Sequence, residues 1–148
     1  MSVVLVDDHL LRDVLTGVRG PDLDGLATSL ATTGLWLFRL QSAFADPAVV
    51  GKLTGPVSRL PATAQESFVR QLTALPADIE VLSLRDLAWS MARLQHAHRS
   101  SGRPLSTAMV EALAAARALG AAIAVAANDV GPNLQAAARH DGITFHVI

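Results

Sequence analysis

Apolar residues are densest between Leu105 and Asp129, and the periodicity of that stretch changes once, at Gly120. Residues 106–119 are alanine-rich helix formers, and glycine is the residue that commonly ends a helix in a left-handed turn. Residues 121–126 are then a continuous apolar run too short for a second helix, which predicts a buried strand with Asp129 just past its end. A helix so apolar and small-sided must be packed nearly all round, so the ionisable Glu111 inside it needs a reason. At the other end of the chain, residues 2–6 (Ser-Val-Val-Leu-Val) have the β-branched character of an interior strand of a parallel sheet, stopped by Asp7 and Asp8.

Between these two stretches the pattern is mostly helical. Residues 9–15 predict a short helix burying Leu10, Leu11, Val14 and Leu15, and residues 17–25, with Pro21, predict a turn-rich link. Residues 27–33 are small and polar; Thr32 or Thr33 can cap a helix over 34–45, where Leu37, Leu40 and Phe44 recur at helical spacing. A loop-rich passage with one short helix (47–61) leads to a helix over 62–75 with Phe68, Val69, Leu72 and Leu75 apolar. A second strand follows at 79–82. Ser83 and Asp86 have capping-box spacing for a long helix running to about Arg99, with Leu84, Leu87, Met91 and Leu94 as its buried face. A helix over 133–140 and a closing strand over 143–148 complete the chain. The order β, several helices, β, two helices, β, α, β predicts an α/β fold: one three-layer α/β/α sandwich on a central, mostly parallel sheet, spanning residues 1–148 as a single domain.

Composition narrows the chemistry. With 148 residues, 51% of them hydrophobic, the chain can bury a substantial core, and disorder is excluded. No apolar run reaches the length of a membrane span and the chain opens on a strand backed by acids, so a cytoplasmic location without membrane attachment is expected. Cysteine is absent, which leaves oxygen and imidazole as the strong metal ligands. A net charge of −1 gives no general field for nucleic acid, but Lys52 is the sole lysine and arginine is the better partner for phosphate and carboxylate.

Candidate chemistry lies in the acids. A parallel sheet brings the ends of the first strand and of the strand before Asp129 to one edge, where such folds bind ligands, and Glu111 lies early in the interior helix. Converging carboxylates at Asp7, Glu111 and Asp129, with Asp8 beside them, repel one another unless a hard divalent ion joins them. Mg²⁺ or Mn²⁺ held in that way activates water against a phosphodiester. The competing reading is that each acid caps or solvates its own element. His9, next to the acids, reads as a surface or capping residue ahead of a metal ligand. Arg39 is either on a solvated face or aimed at the acids, and the cluster of His96, His98, Arg99 and Arg103 is either a solvated helix end or a phosphate contact.

The chain resembles the PIN domains of the VapC-like toxin ribonucleases. The resemblance rests on a first strand ending in Val6-Asp7 and on Leu105-Ser106 followed by Glu111-Ala-Leu-Ala-Ala-Ala-Arg-Ala118. It continues in Gly120-Ala121, the apolar strand toward Asp129, and the closing helix and strand. It implies a Mg²⁺- or Mn²⁺-dependent endoribonuclease of a type II toxin–antitoxin module, with Asp7, Glu111 and Asp129 as metal ligands and catalytic residues. It further implies RNA phosphate held by Arg39, Arg99 or Arg103, a cognate antitoxin, and a homodimer using the faces of Leu35, Trp36 and Phe38 or of Trp89. Three positions depart from the family pattern: Glu111 replaces the usual aspartate, Ala127 the usual serine or threonine, and Arg39 stands where a further acid is expected. Two readings follow from Arg39. Either it binds the scissile phosphate, with Asp8 supplying the missing carboxylate, or it pairs with the acids and turns the domain into a catalytically degenerate RNA- or protein-binding module.

Overall fold

Five short strands run in parallel in the order β3-β2-β1-β4-β5: Val3–Val6 (β1), Ser29–Thr32 (β2), Ile79–Val81 (β3), Ala122–Val125 (β4) and Phe145–Val147 (β5). The computed structural model describes residues 2–18, 21–26 and 29–148. The helices are Asp8–Leu15 (α1), Pro21–Leu26 (α2), Gly34–Ala45 (α3), Gly55–Ser58 (α4), Ala62–Thr73 (α5), Leu84–Ser100 (α6), Thr107–Leu119 (α7) and Pro132–His140 (α8).

β1 is central because it is buried on both faces, and its side chains alternate between two cores. Val4 and Val6 face one core, which contains Leu11, Leu40 and Phe68 of α1, α3 and α5; Leu5 faces the other, which contains Leu87, Leu113 and Leu134 of α6, α7 and α8. The neighbouring strands alternate the same way: Leu30 and Ala124 join the first core, Ala31 and Ile123 the second. The result is the expected three-layer sandwich. α7 packs against α6, α8, α3 and the sheet, and its alanines 112 and 114–116 are buried, which is what lets so many neighbours approach one helix.

Several sequence expectations need correction. The small, polar segment around residues 27–33 contains a strand, β2, which pairs with β1 on one side and β3 on the other; burial in a sheet overrides its weak strand composition. The link over 17–25 contains helix α2, started by Pro21, a residue pre-set for a first helical turn. Residues 19 and 20 of that link and 27 and 28 of the polar segment lie outside the described residues. Leu84 and Val69 are exposed and not core, while Trp36 belongs to the core. His9 is buried, not a surface residue. Thr33, rather than Thr32, caps α3 by accepting from the Trp36 N–H. Ser83 and Ser106 cap α6 and α7, and Gly120 ends α7 at φ +61°, where glycine carries no side-chain clash. No helix among the described residues is long and apolar enough to cross a membrane.

Candidate functional site

The chain leaves β1 toward β2 and β3 on one side and returns to β4 and β5 on the other. The crevice between the carboxyl ends of β1 and β4 is therefore the switch point of the sheet, where open parallel sheets bind ligands. Asp7 and Asp8 follow β1, and Asp129 closes a one-turn 3-10 helix, Ala127–Asp129, after β4. Asp7, Asp129 and Arg39 line one cavity of about 210 Å³ there, together with Trp36, Ser106 and Met109. A larger and more apolar cavity, about 350 Å³, is bounded by Leu10, Leu23, Ala126 and Ile148. Its cation, Arg12, already donates to Asp13 and the Lys52 carbonyl, so the chemistry is assigned to the smaller cavity.

Asp7 is tied down by the backbone. Its Oδ1 accepts from the Leu10 N–H at 2.9 Å, capping α1, and its Oδ2 accepts from the Ala126 N–H at 3.0 Å, joining the ends of β1 and β4. Burial pushes its carboxyl from 3.8 up to about 7, against the lowering effect of those two N–H groups and with a further rise from Asp8 and Asp129. Asp8 is fully buried. Its Oδ1 accepts from the His9 N–H; its Oδ2 is within ion-pair range of Arg39 Nε, at 3.4 Å, yet accepts no hydrogen bond. Burial raises its pKa too, with Arg39 and then His9 pulling it down.

Arg39 spans the crevice, with Nε toward Asp8 and one terminal nitrogen 3.8 Å from Asp129 Oδ2. His9 reaches the same Asp129 oxygen with Nε2 at 3.6 Å, and its buried Nδ1 has no partner. One ligand atom from each of Asp8, His9 and Asp129 lies within 4.8 Å of the others, so these three could hold a metal ion. The signal for His9 in the sequence is its place directly after two strand-end acids.

Glu111 takes another direction. It is 1% exposed, and its Oε1 accepts from the Leu35 N–H at 2.8 Å, so the carboxylate sits at the positive end of α3 and satisfies a first-turn donor. Glu111 is absent from the residues lining the acidic cavity, whereas Met109 is present. Ala108 and Met109 of α7 line that cavity, and Glu111 is joined to the first turn of α3. The structure thus brings together Asp7, Asp129 and Arg39, with Asp8 and His9, and leaves Glu111 on α3. Arg99 and Arg103 lie elsewhere: Arg99 is exposed at the end of α6, and Arg103 Nε donates to His98 Nδ1 at 3.2 Å. The same His98, buried, meets Asp141 through Nε2 at 3.0 Å.

A five-stranded parallel sheet between two helical layers, with acids gathered at the β1–β4 switch point, defines a PIN-like fold. The chain is similar in fold to a chain in the structure of FitAB bound to an IR36 DNA fragment, with TM-score 0.61 over 97% of this chain and 94% of that one. Sequence identity is 16%, so the likeness establishes the fold and nothing finer. No protein-family model matches the chain, and no curated protein matches it significantly.

Proposed function

We propose that this chain is a PIN-type domain of the toxin–antitoxin kind whose acidic pocket is held by Arg39 in place of a divalent ion, and that it acts by binding rather than by cutting. The observation that carries this reading is the position of Arg39 between Asp8 Oδ2 and Asp129 Oδ2. A guanidinium is charged at every relevant pH and offers several donors in a plane, so it relieves the repulsion between two carboxylates that would otherwise demand a metal. The remaining acids have backbone partners: Asp7 accepts two N–H groups and Glu111 accepts one through Oε1. In this crevice the group whose ligand atoms lie within 4.8 Å of one another is Asp8, His9 and Asp129, not Asp7, Glu111 and Asp129. The resemblance to the VapC-like PIN toxins, with a fold similar to a chain in the FitAB structure, supports an antitoxin-like protein as partner and a homodimer as the assembly. Phe38, 62% exposed and next to Arg39, is the residue of the α3 face still free to meet a partner once Trp36 is in the core.

A second reading has its own observation. Asp8 Oδ2 and His9 Nδ1 are buried without hydrogen bonds, and Asp8, His9 and Asp129 group closely enough to hold a divalent ion if the half-exposed Arg39 swings out. Such an ion would supply an acidified water for endoribonuclease chemistry. Calorimetric titration with Mg²⁺ and Mn²⁺, alongside incubation with labelled RNA, separates the two. The first reading expects no binding and intact RNA for the natural chain, and metal binding to appear on Arg39→Ala. Saturable Mg²⁺ or Mn²⁺ binding by the natural chain, with RNA cleavage lost on Asp129→Asn, would establish the second reading in its place.

A further inference from the structure

One face of the molecule is left unexplained by the acidic pocket. Arg85, Trp89, Arg93 and His96 recur at i, i+4, i+8 and i+11 along α6, and all four are exposed, Trp89 at 75%. Across the groove from them, Arg117 of α7 joins Trp89, Arg93, Leu94 and Ala97 around a shallow depression of about 260 Å³. No carboxylate lines that depression, and Asp86, in the first turn, is the one acid of α6. Among the described residues Arg85, Arg93 and Arg117 form no ion pair, in contrast to Arg12 and Arg39. An exposed indole flanked by unpaired guanidinium groups is a surface that lacks both a stacking partner and an anion.

We propose that this face binds single-stranded nucleic acid, with a base stacked on Trp89 and backbone phosphates held by Arg85, Arg93 and Arg117. The spacing suits this ligand: at 1.5 Å per residue, Arg85 and Arg93 start roughly 6 Å to either side of Trp89 along the helix, so a base on the indole has its flanking phosphates near a cation on each side. A duplex keeps its bases stacked on one another and offers no face to an indole. An acidic peptide would satisfy the charges but leave the indole uncovered. A second copy of the chain would bring the same cations against themselves. This site is separate from the acidic pocket and does not depend on Arg39.

The chain contains two tryptophans, and Trp36 is buried, so quenching of intrinsic fluorescence reports on Trp89. The full chain is titrated with a short oligouridylate, with duplex RNA of equal length, with polyphosphate and with polyglutamate. Saturable quenching is expected with the single strand alone. Three phosphate contacts predict a slope of log affinity on log salt of about −2. Trp89→Ala, which removes the fluorescent reporter and is therefore followed by the anisotropy of an end-labelled oligouridylate, should weaken binding about 5- to 100-fold relative to the natural chain in that same assay. Arg93→Gln should lower the slope by about 0.7. Both variants should keep the natural melting transition, since the replaced side chains are exposed. Equal binding of polyphosphate or polyglutamate, absence of quenching at millimolar oligonucleotide, or a Trp89-dependent dimer in sedimentation that oligonucleotide leaves intact would each overturn the proposal.

Discussion

Asp7→Asn isolates the energetic consequence of burying a carboxylate at the switch point. In the folded protein the Asp7 carboxyl holds its proton up to about 7, whereas an unfolded chain releases it near 3.8. Between those values the folded state binds more protons than the unfolded one, so stability falls as pH rises through the window, and the loss is complete above about pH 7. At 1.36 kcal/mol per pH unit the whole window amounts to roughly 4 kcal/mol, a large share of the net stability of a domain this size. Asparagine removes the titration but cannot accept at both ends: its carbonyl takes one of the Leu10 and Ala126 N–H groups, and its NH₂ faces the other. That mismatch costs about 1–3 kcal/mol at every pH. The variant should therefore be the less stable protein at pH 5 and should equal or exceed the natural chain by pH 8.5. Urea unfolding followed by circular dichroism between pH 5 and pH 9, with chelator present, gives both curves. Asp8, whose pKa is also raised, adds the same trend to both proteins. A gap between the two curves that stays constant across this range would refute the account of Asp7.

Two further predictions concern α7. Leu113→Ala, at a fully buried position between α7 and the sheet, should cost about 2–5 kcal/mol in the same unfolding assay, with the far-UV spectrum unchanged. At Glu111 the two substitutions should separate: Gln keeps an acceptor for the Leu35 N–H and should lower the melting temperature only slightly, whereas Ala leaves that half-buried donor without its partner and opens a cavity at a buried side chain, for a loss of about 2–4 kcal/mol. Equal effects of the two would mean that Glu111 does not cap α3.

The contrast between Arg39 and Glu111 bears on what the pocket can bind. Carboxylates gathered at a sheet edge can be balanced by an ion, by protons or by a basic side chain. Here Arg39 faces both Asp8 and Asp129, His9 faces Asp129, and Glu111 accepts from the first turn of α3.

What the sequence determined by itself is the layering and the meeting of two strand-end acids. Strong local signals set β1, α7, the glycine stop at Gly120 and β4, because continuous apolar runs and an alanine-rich helix have few places to go except a double-sided core. Acids at the ends of two parallel strands must then lie near one edge, which puts Asp7 and Asp129 in the same crevice. Tertiary structure alone decided the rest. β2 is a strand because β1 and β3 supply hydrogen bonds on both sides, information that the residues Ser29-Leu-Ala-Thr32 do not carry. The helix phase of α7 is set by packing against four neighbours, and it is that rotation which brings Glu111 to the first turn of α3. Nearly every residue of α7 is apolar, so no polar stripe in the sequence fixes its rotation; only the shapes of the elements around it can.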